Sequence, residues 1–140
     1  MSESIFLDAS FWIRFRNPKD SKMEFARAIV AGLAPSRPIF VTTLLVAAET
    51  HAYFARNSNL RGRILQDIEN SSLLRLEQIR HEDEKEAFHL LRAQTDKSYS
   101  LCDAISFTIM KRLKISRALS FDEHFAQTGQ FQIIDHPDRI

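Results

Sequence analysis

Four acidic side chains in this sequence stand where carboxylates could carry out chemistry. Asp8 and Asp122 each follow a short apolar segment, whereas Glu49 and Asp103 lie in stretches of helical character. Carboxylates and water are the ligands that Mg²⁺ and Mn²⁺ prefer. A divalent ion held in this way lowers the pKa of a water molecule and stabilises negative charge on a phosphate. If the fold brings the four acids together, they predict a metal site suited to phosphodiester hydrolysis.

Three of these acids also have a structural explanation. Asp8 and Asp122 each precede a predicted helix, and aspartate is a good N-cap residue. Asp103 follows Ser100 at the spacing of a capping box. The segment 104–107 is mostly apolar, so this helix start is expected to pack against the core rather than face solvent.

Glu49 is predicted to lie on an apolar face of a helix. Leu45 and Val46 precede it by one turn, and Ala52 and Tyr53 follow it by one turn. A buried carboxylate without a partner is costly. We therefore expect Glu49 either to bind a ligand or to form a structural ion pair with an arginine or a lysine.

Several other kinds of site have no support in the sequence. The five histidines lack zinc-ligand spacing and are expected at the surface or in ordinary packing. There is no glycine-rich phosphate loop. The single cysteine, Cys102, cannot form an internal disulfide and is expected to pack rather than react.

The net charge of +1 neither demands nor excludes a nucleic-acid partner. No signal peptide or membrane-length apolar segment is visible, so a cytoplasmic protein is expected.

Apolar patterning predicts strands that alternate with helices over a single domain, residues 1–140. The predicted strands are residues 4–8, 39–41, 73–77, 117–121 and 131–134. The predicted helices are residues 10–15, 21–33, 43–56, 59–69, 82–95, 100–113 and 123–128. This order indicates an α/β fold, a three-layer α/β/α sandwich with a mostly parallel sheet of roughly four or five strands. Ligands bind such sheets beyond the carboxyl ends of the strands, where Asp8 and Asp122 are expected.

Several blocks of the sequence resemble the PIN-domain nuclease family, and in particular the VapC-type toxins of bacterial toxin–antitoxin pairs. The blocks are residues 6–10, 41–49, 96–107, 118–125 and 129–131. The resemblance implies hydrolysis of single-stranded RNA with Mg²⁺ or Mn²⁺. It implies that Asp8, Asp103 and Asp122 are the more direct metal ligands. Glu49 would complete the site, directly or through water.

The resemblance also implies supporting residues and partners. Ser10 and Ser120 match small hydroxyl positions that support the first acid and the metal site. Asp96 matches an acid at the start of the Asp103 motif, and we expect it to support the site or to be structural. The implied assembly is a homodimer that binds a small antitoxin protein, without a membrane.

Five further residues are candidates for contact with RNA. Arg14, Arg16 and Lys97 could contact phosphates, and solvated surface is the competing explanation for each. Trp12 and Tyr99 could stack on bases. For Trp12, core packing or a dimer contact is the stronger explanation.

Two other functions stay open at the level of sequence. A protein with this fold could have lost catalysis and serve as an RNA- or protein-binding module. Asp8 could instead be the nucleophile of a phosphoryl-transfer enzyme. Such enzymes typically need another aspartate two residues further on, and Ser10 occupies that place.

Overall fold

Five parallel strands form the central sheet. The computed structural model describes residues 2–140. The strands are β1 (Ser4–Leu7), β2 (Ile39–Thr42), β3 (Leu74–Leu76), β4 (Arg117–Leu119) and β5 (Gln132–Ile134). Their order is β3-β2-β1-β4-β5, and every neighbouring pair is parallel. All five predicted strands are present, and the prediction of a parallel sheet is confirmed.

Seven α-helices connect and cover these strands within residues 2–140. They are α1 (Ala9–Arg16), α2 (Met23–Leu33), α3 (Leu44–Tyr53), α4 (Ser58–Asn70), α5 (His81–Ala93), α6 (Leu101–Leu113) and α7 (Glu123–Gln127). Each corresponds to a predicted helix, with ends that differ by at most three residues. None of the helices in this part of the chain combines the length and the apolar character that a membrane span requires.

The direction of the strand connections divides the helices into two layers. The chain moves one way across the sheet from β1 to β2 to β3, and the other way from β3 to β4 to β5. Right-handed crossovers therefore place α1 to α4 on one face of the sheet and α5 to α7 on the opposite face. Contacts of α1 with α2 and α3, and of α6 with α5 and α7, agree with this division. The predicted three-layer architecture is confirmed.

The central strand β1 is buried because helices cover both faces of the sheet. Ile5 and Phe6 have no exposed surface, although they point to opposite faces. The rings of Phe6 and Phe107 lie 6.2 and 4.8 Å from that of Phe125, which joins β1, α6 and α7 in one core. Each fully buried side chain of this size contributes about 1.5–3 kcal/mol. The elements that carry or precede Asp8, Asp103 and Asp122 are thus anchored in the core.

An ion pair between the buried Asp83 and Arg112 connects α5 to α6. Asp83 accepts hydrogen bonds from Arg112 Nε at 2.9 Å and Nη2 at 3.0 Å, and from the backbone N–H of Arg80 at 2.9 Å. Arg112 Nη1 also donates to Glu77 at 3.1 Å. The hydrogen bonds from Arg112 and Arg80 outweigh the effect of burial and hold the pKa of Asp83 below its usual value.

The carboxyl ends of β1 and β4 meet where the strand order reverses. Leu7 of β1 pairs with Leu119 of β4, and the backbone N–H of Asp8 donates to the Leu119 carbonyl at 3.1 Å. The chain leaves β1 towards β2 on one side and reaches β4 on the other. In open α/β sheets such a switch point is where ligands bind. β4 ends at Leu119, two residues earlier than predicted, which frees the following residues to turn towards Asp8.

Candidate active site

Asp8 follows the last residue of β1, and two hydroxyl groups hold one of its oxygens. Asp8 Oδ2 accepts hydrogen bonds from the hydroxyl of Ser10 and, at 2.9 Å, from that of Ser120. The Ser10 oxygen in turn accepts the backbone N–H of Phe121 at 2.9 Å, and the Ser120 oxygen accepts that of Asp122 at 3.0 Å. Both serines thus connect Asp8 to the chain that follows β4.

The surroundings of Asp8 disfavour its negative charge. Its side chain is buried, with only 6% of the residue exposed. Burial raises the pKa of Asp8 to about 6; the hydroxyls of Ser10 and Ser120 oppose this rise, and the charges of Asp103 and Asp122 add to it. A cation in the cleft would stabilise the ionised carboxylate that the protein alone disfavours.

Asp103 is a helix cap and also a buried carboxylate. It is the third residue of α6 and forms a capping box, in which its backbone N–H donates to Ser100 Oγ and its Oδ2 accepts the Ser100 N–H, each at 3.0 Å. The residue is also buried, at 7% exposure. The cap therefore fixes the direction of a buried carboxylate and does not compete with a role in the cleft.

Asp122 likewise caps a helix and faces the other acids. It precedes α7, and its Oδ1 accepts the backbone N–H of His124 at 2.9 Å. Its side chain keeps about a third of its surface exposed. Asp122 lines the same cleft as Asp8 and Asp103, and the charges of Asp103 and Asp122 both raise the pKa of Asp8.

His124 is a residue of this site that the sequence analysis placed at the surface or in ordinary packing. Its Nδ1 lies 2.9 Å from Asp103 Oδ2 and 3.4 Å from Asp122 Oδ1. One atom each of Asp103, Asp122 and His124 can be chosen so that all three lie within 4.8 Å of one another. The spacing Asp-Glu-His at 122–124 was visible in the sequence, but the contact with Asp103 depends on the fold.

Glu49 lies on the rim of the cleft, and the prediction that its helix face is apolar and buried is wrong. Glu49 is exposed, and Tyr53 on the next turn has 60% of its surface exposed. Val46, one turn earlier, is fully buried, so Glu49 stands where the covered face of α3 meets solvent. Burial, and then the Glu49 side chain, raise the pKa of the Cys102 thiol well above its usual value, so Cys102 stays protonated. Its side chain packs against the core.

The four predicted acids line one cleft of about 240 Å³. Asp8, Glu49, Asp103 and Asp122 share it with other side chains from α1, α3 and the segment after α1. These other lining residues are Ser10, Ile13, Arg14, Asp20 and Tyr53. Asp20 is a fifth acid that the sequence analysis did not single out, and it lies 3.5 Å from Arg14.

The other candidate residues are distributed unevenly around this cleft. Asp96 is exposed, with Lys97 Nζ at 4.0 Å, and does not belong to the residues described as lining the cleft. Arg16 pairs with Asp67, which also accepts the indole N–H of Trp12 at 2.9 Å. Trp12 is 2% exposed, so it is a core residue and neither a base-stacking platform nor a dimer contact. Among the basic candidates, Arg14 is the one that lines the cleft.

The three aspartates share a pattern that suits a hard divalent cation. In each, one oxygen accepts the hydrogen bonds described above: Oδ2 of Asp8 and Asp103, and Oδ1 of Asp122. The second carboxylate oxygen of each aspartate accepts no hydrogen bond from residues 2–140. Three oriented carboxylates with one free oxygen each, together with Glu49 on the rim, match the oxygen-rich ligand set of Mg²⁺ or Mn²⁺.

Residues 5–130, from β1 to the segment before β5, match a known domain family, the PIN domain. This chain belongs to the PIN domain family. The resemblance noted in the sequence is thereby confirmed, and the cleft described above lies within the matched residues of this PIN domain.

Similar proteins point to the same branch of PIN domains. The 23S rRNA-specific endonuclease VapC20 of Mycobacterium tuberculosis, recorded from two strains, is 28% identical over 130 residues, which cover 92% of this chain and 97% of that protein. The crystal structure of Mycobacterium tuberculosis VapC20, described as a sarcin-ricin loop cleaving toxin, matches with a TM-score of 0.79 and 29% identity. That match covers 90% of this chain and 95% of the other. The predicted resemblance to VapC-type toxins is confirmed.

Proposed function

We propose that this PIN domain is an endoribonuclease that hydrolyses single-stranded RNA with Mg²⁺ or Mn²⁺, and that it is the toxin of a toxin–antitoxin pair. The observation that carries the proposal is the cleft at the switch point of the sheet. Four carboxylates line it, and three of them have one oxygen tied to the protein and one oxygen free. A binding module that had lost catalysis would have no need to preserve this arrangement.

The division of labour among the acids follows from their positions. Asp8, Asp103 and Asp122 would hold the ion through their free oxygens, and the ion would supply charge neutralisation at the phosphate and an acidic water. Glu49 lies on the exposed rim of the same cleft. From there its carboxylate can accept a proton or a hydrogen bond from the water that attacks the phosphorus. Glu49 therefore orients the nucleophile.

Arg14 is the side chain best placed to bind the phosphate that follows or precedes the cleaved one. It lines the cleft, and its guanidinium lies 5.3 Å from the centre of the Phe121 ring. The ion pair between Arg14 and Asp20 is long, at 3.5 Å. Replacing Asp20 by a phosphate as the partner of Arg14 therefore costs little free energy. Arg16 is not assigned this role, because it already pairs with Asp67. Lys97 is not assigned it either, because it is not among the residues described as lining the cleft.

The toxin role rests on the similarity to VapC20, which is named as an endonuclease specific for 23S rRNA. The substrate class we propose is therefore ribosomal RNA in a single-stranded loop, encountered in the cytoplasm. The acidic cleft would also accept a cationic side chain, so an antitoxin could block it with an arginine that occupies the place of the ion. The homodimer stays a prediction that the resemblance to VapC-type toxins implies.

The test is cleavage of an end-labelled RNA hairpin with the sarcin–ricin loop sequence, alongside an unstructured RNA of mixed sequence. Wild type should cleave at defined positions with Mn²⁺ or Mg²⁺ and stop with EDTA. Asp103→Asn should abolish cleavage, because it removes one charge and leaves a residue that can still accept the Ser100 N–H. Ser100→Ala, which weakens only the cap, is the matched control and should retain cleavage. RNA binding without cleavage by wild type at any metal concentration would refute the proposal.

A further inference from the structure

The position of His124 has no role in the function proposed so far. Its Nδ1 faces two carboxylate oxygens, Asp103 Oδ2 at 2.9 Å and Asp122 Oδ1 at 3.4 Å. An ionised carboxylate can only accept hydrogen bonds, so the imidazole must donate its Nδ1–H to them. The backbone N–H of His124 also donates to Asp122 Oδ1, at 2.9 Å. One residue thus contacts both carboxylates, of which Asp103 lies on α6 and Asp122 precedes α7.

From these contacts we infer that His124 is a positioning residue, which clamps Asp103 and Asp122 together so that their free oxygens face the same cation. The inference rests on the proposed metal-dependent function and deepens it. The clamp acts on the oxygens that already carry hydrogen bonds: Asp103 Oδ2 also accepts the Ser100 N–H at 3.0 Å. Fixing one oxygen of each carboxylate leaves the other to point into the cleft.

The surroundings of His124 favour a clamp over a direct metal ligand. The cleft is lined by Asp103 and Asp122 but not, among the residues described as lining it, by His124. The imidazole therefore contacts two carboxylates that line the cleft without itself belonging to the described lining. Tyr99 packs edge-on against it, with ring centres 5.8 Å apart, and Tyr99 itself packs edge-on against Phe107 of the core at 5.2 Å. The ring is held by packing as well as by hydrogen bonds.

A histidine that contacts both carboxylates also reduces the electrostatic repulsion between them. Asp103 and Asp122 come from separate elements, α6 and the segment before α7, and two carboxylates repel each other. A shared donor between them offsets that repulsion before any ion binds. Partners of this kind, which orient the ligands without touching the metal, typically change metal affinity by about 10- to 100-fold when removed.

The choice of substitution separates a clamp from a ligand and from a structural residue. The side-chain nitrogen of asparagine occupies nearly the place of Nδ1, whereas that of glutamine extends to the place of Nε2. His124→Asn should therefore keep the donor to Asp103, and His124→Gln and His124→Ala should lose it. The backbone N–H to Asp122 remains in all three. The imidazole side chain is about one quarter exposed, so none of these substitutions removes a core residue.

The experiment measures Mn²⁺ affinity directly, by the electron paramagnetic resonance signal of free Mn²⁺ in a titration, and melting temperature in EDTA. We expect His124→Gln and His124→Ala to weaken Mn²⁺ binding by about 10- to 100-fold and His124→Asn to stay within about threefold of wild type. Melting temperatures in EDTA show which variants are folded, and affinities are compared among those.

Equal affinity in wild type, His124→Gln and His124→Ala would overturn the inference while leaving the metal site intact. Loss of binding in His124→Asn as severe as in His124→Gln would overturn the clamp, because a ligating imidazole nitrogen is not replaced by an amide. Absence of Mn²⁺ binding by wild type would refute the proposed function together with the inference.

Discussion

Replacing Asp8 with asparagine should make the metal-free protein more stable at neutral pH. Burial, more than any other cause, raises the pKa of Asp8 from 3.8 to about 6. A raised carboxyl pKa means that the folded protein holds a proton on Asp8 between these two values while the unfolded chain has lost it. Stability therefore falls as the pH rises through this window, and the loss is complete above about pH 6.

The size of the effect follows from the same two values. The difference between 3.8 and about 6 corresponds to a cost on the order of 3 kcal/mol for ionised Asp8 at neutral pH. Asparagine carries no charge, and its carbonyl oxygen can still accept the hydroxyls of Ser10 and Ser120, which now reach Asp8 Oδ2. At about 3 °C per kcal/mol for a domain of this size, the melting temperature should rise by about 9 °C.

The assay is thermal unfolding in EDTA, followed by circular dichroism at about pH 7.5 and again at about pH 4, where the difference should nearly vanish. Asp83→Asn is the matched control, since Asp83 is equally buried but bonded to Arg112, and its pKa is lowered. That variant should lose on the order of 3 kcal/mol, because it removes the charged partner of Arg112, a half-buried arginine. If Asp8→Asn melts below wild type at neutral pH, or if its gain is the same at both pH values, the reasoning about Asp8 is wrong.

Three further outcomes are expected. Asp122→Asn should reduce RNA cleavage by at least about 100-fold, as removal of a catalytic electrostatic group does; near-normal cleavage by a folded variant would leave Asp122 as a helix cap only. Mn²⁺ at a hundredfold excess over its Kd should stabilise wild type by about 2.7 kcal/mol, and Glu49→Gln should shrink this gain, measured as a shift in melting temperature; an undiminished shift would remove Glu49 from the metal site. Light scattering at high micromolar concentration should give the mass of a dimer, and a strict monomer would contradict the predicted assembly.

The order of the elements and the proximity of Asp8 to Asp122 could be predicted from the sequence, because each depends on local patterns. Apolar runs such as 4–8 and 117–121 mark buried strands, and parallel strands carry their following residues to one edge. Asp8 and Asp122 therefore had to lie near one another. Asp103 could be interpreted as a cap or as a site residue, and the structure shows that these interpretations are compatible, because the capping box itself orients the buried carboxylate.

The features that escaped prediction depend on contacts between distant parts of the chain. His124 contacts Asp103, which lies 21 positions away in the sequence. Asp67 accepts hydrogen bonds from Arg16 and Trp12, which lie 51 and 55 positions away. No local pattern reports such pairs. The apolar neighbours of Glu49 suggested a buried helix face, but α3 lies at the edge of the cleft and leaves Glu49 and Tyr53 exposed.

The chemical identity of the ends that cleavage leaves on RNA tests the central claim most directly. Attack by a water molecule, oriented by Glu49 and assisted by an ion that the aspartates hold, leaves a 5′-phosphate and a 3′-hydroxyl. Attack by the neighbouring ribose 2′-hydroxyl, which needs no metal-held water, leaves a cyclic phosphate. Mass spectrometry of the fragments from wild type with Mn²⁺ should show 5′-phosphate and 3′-hydroxyl ends that disappear with EDTA. Cyclic phosphate ends, or undiminished cleavage in EDTA, would contradict the account.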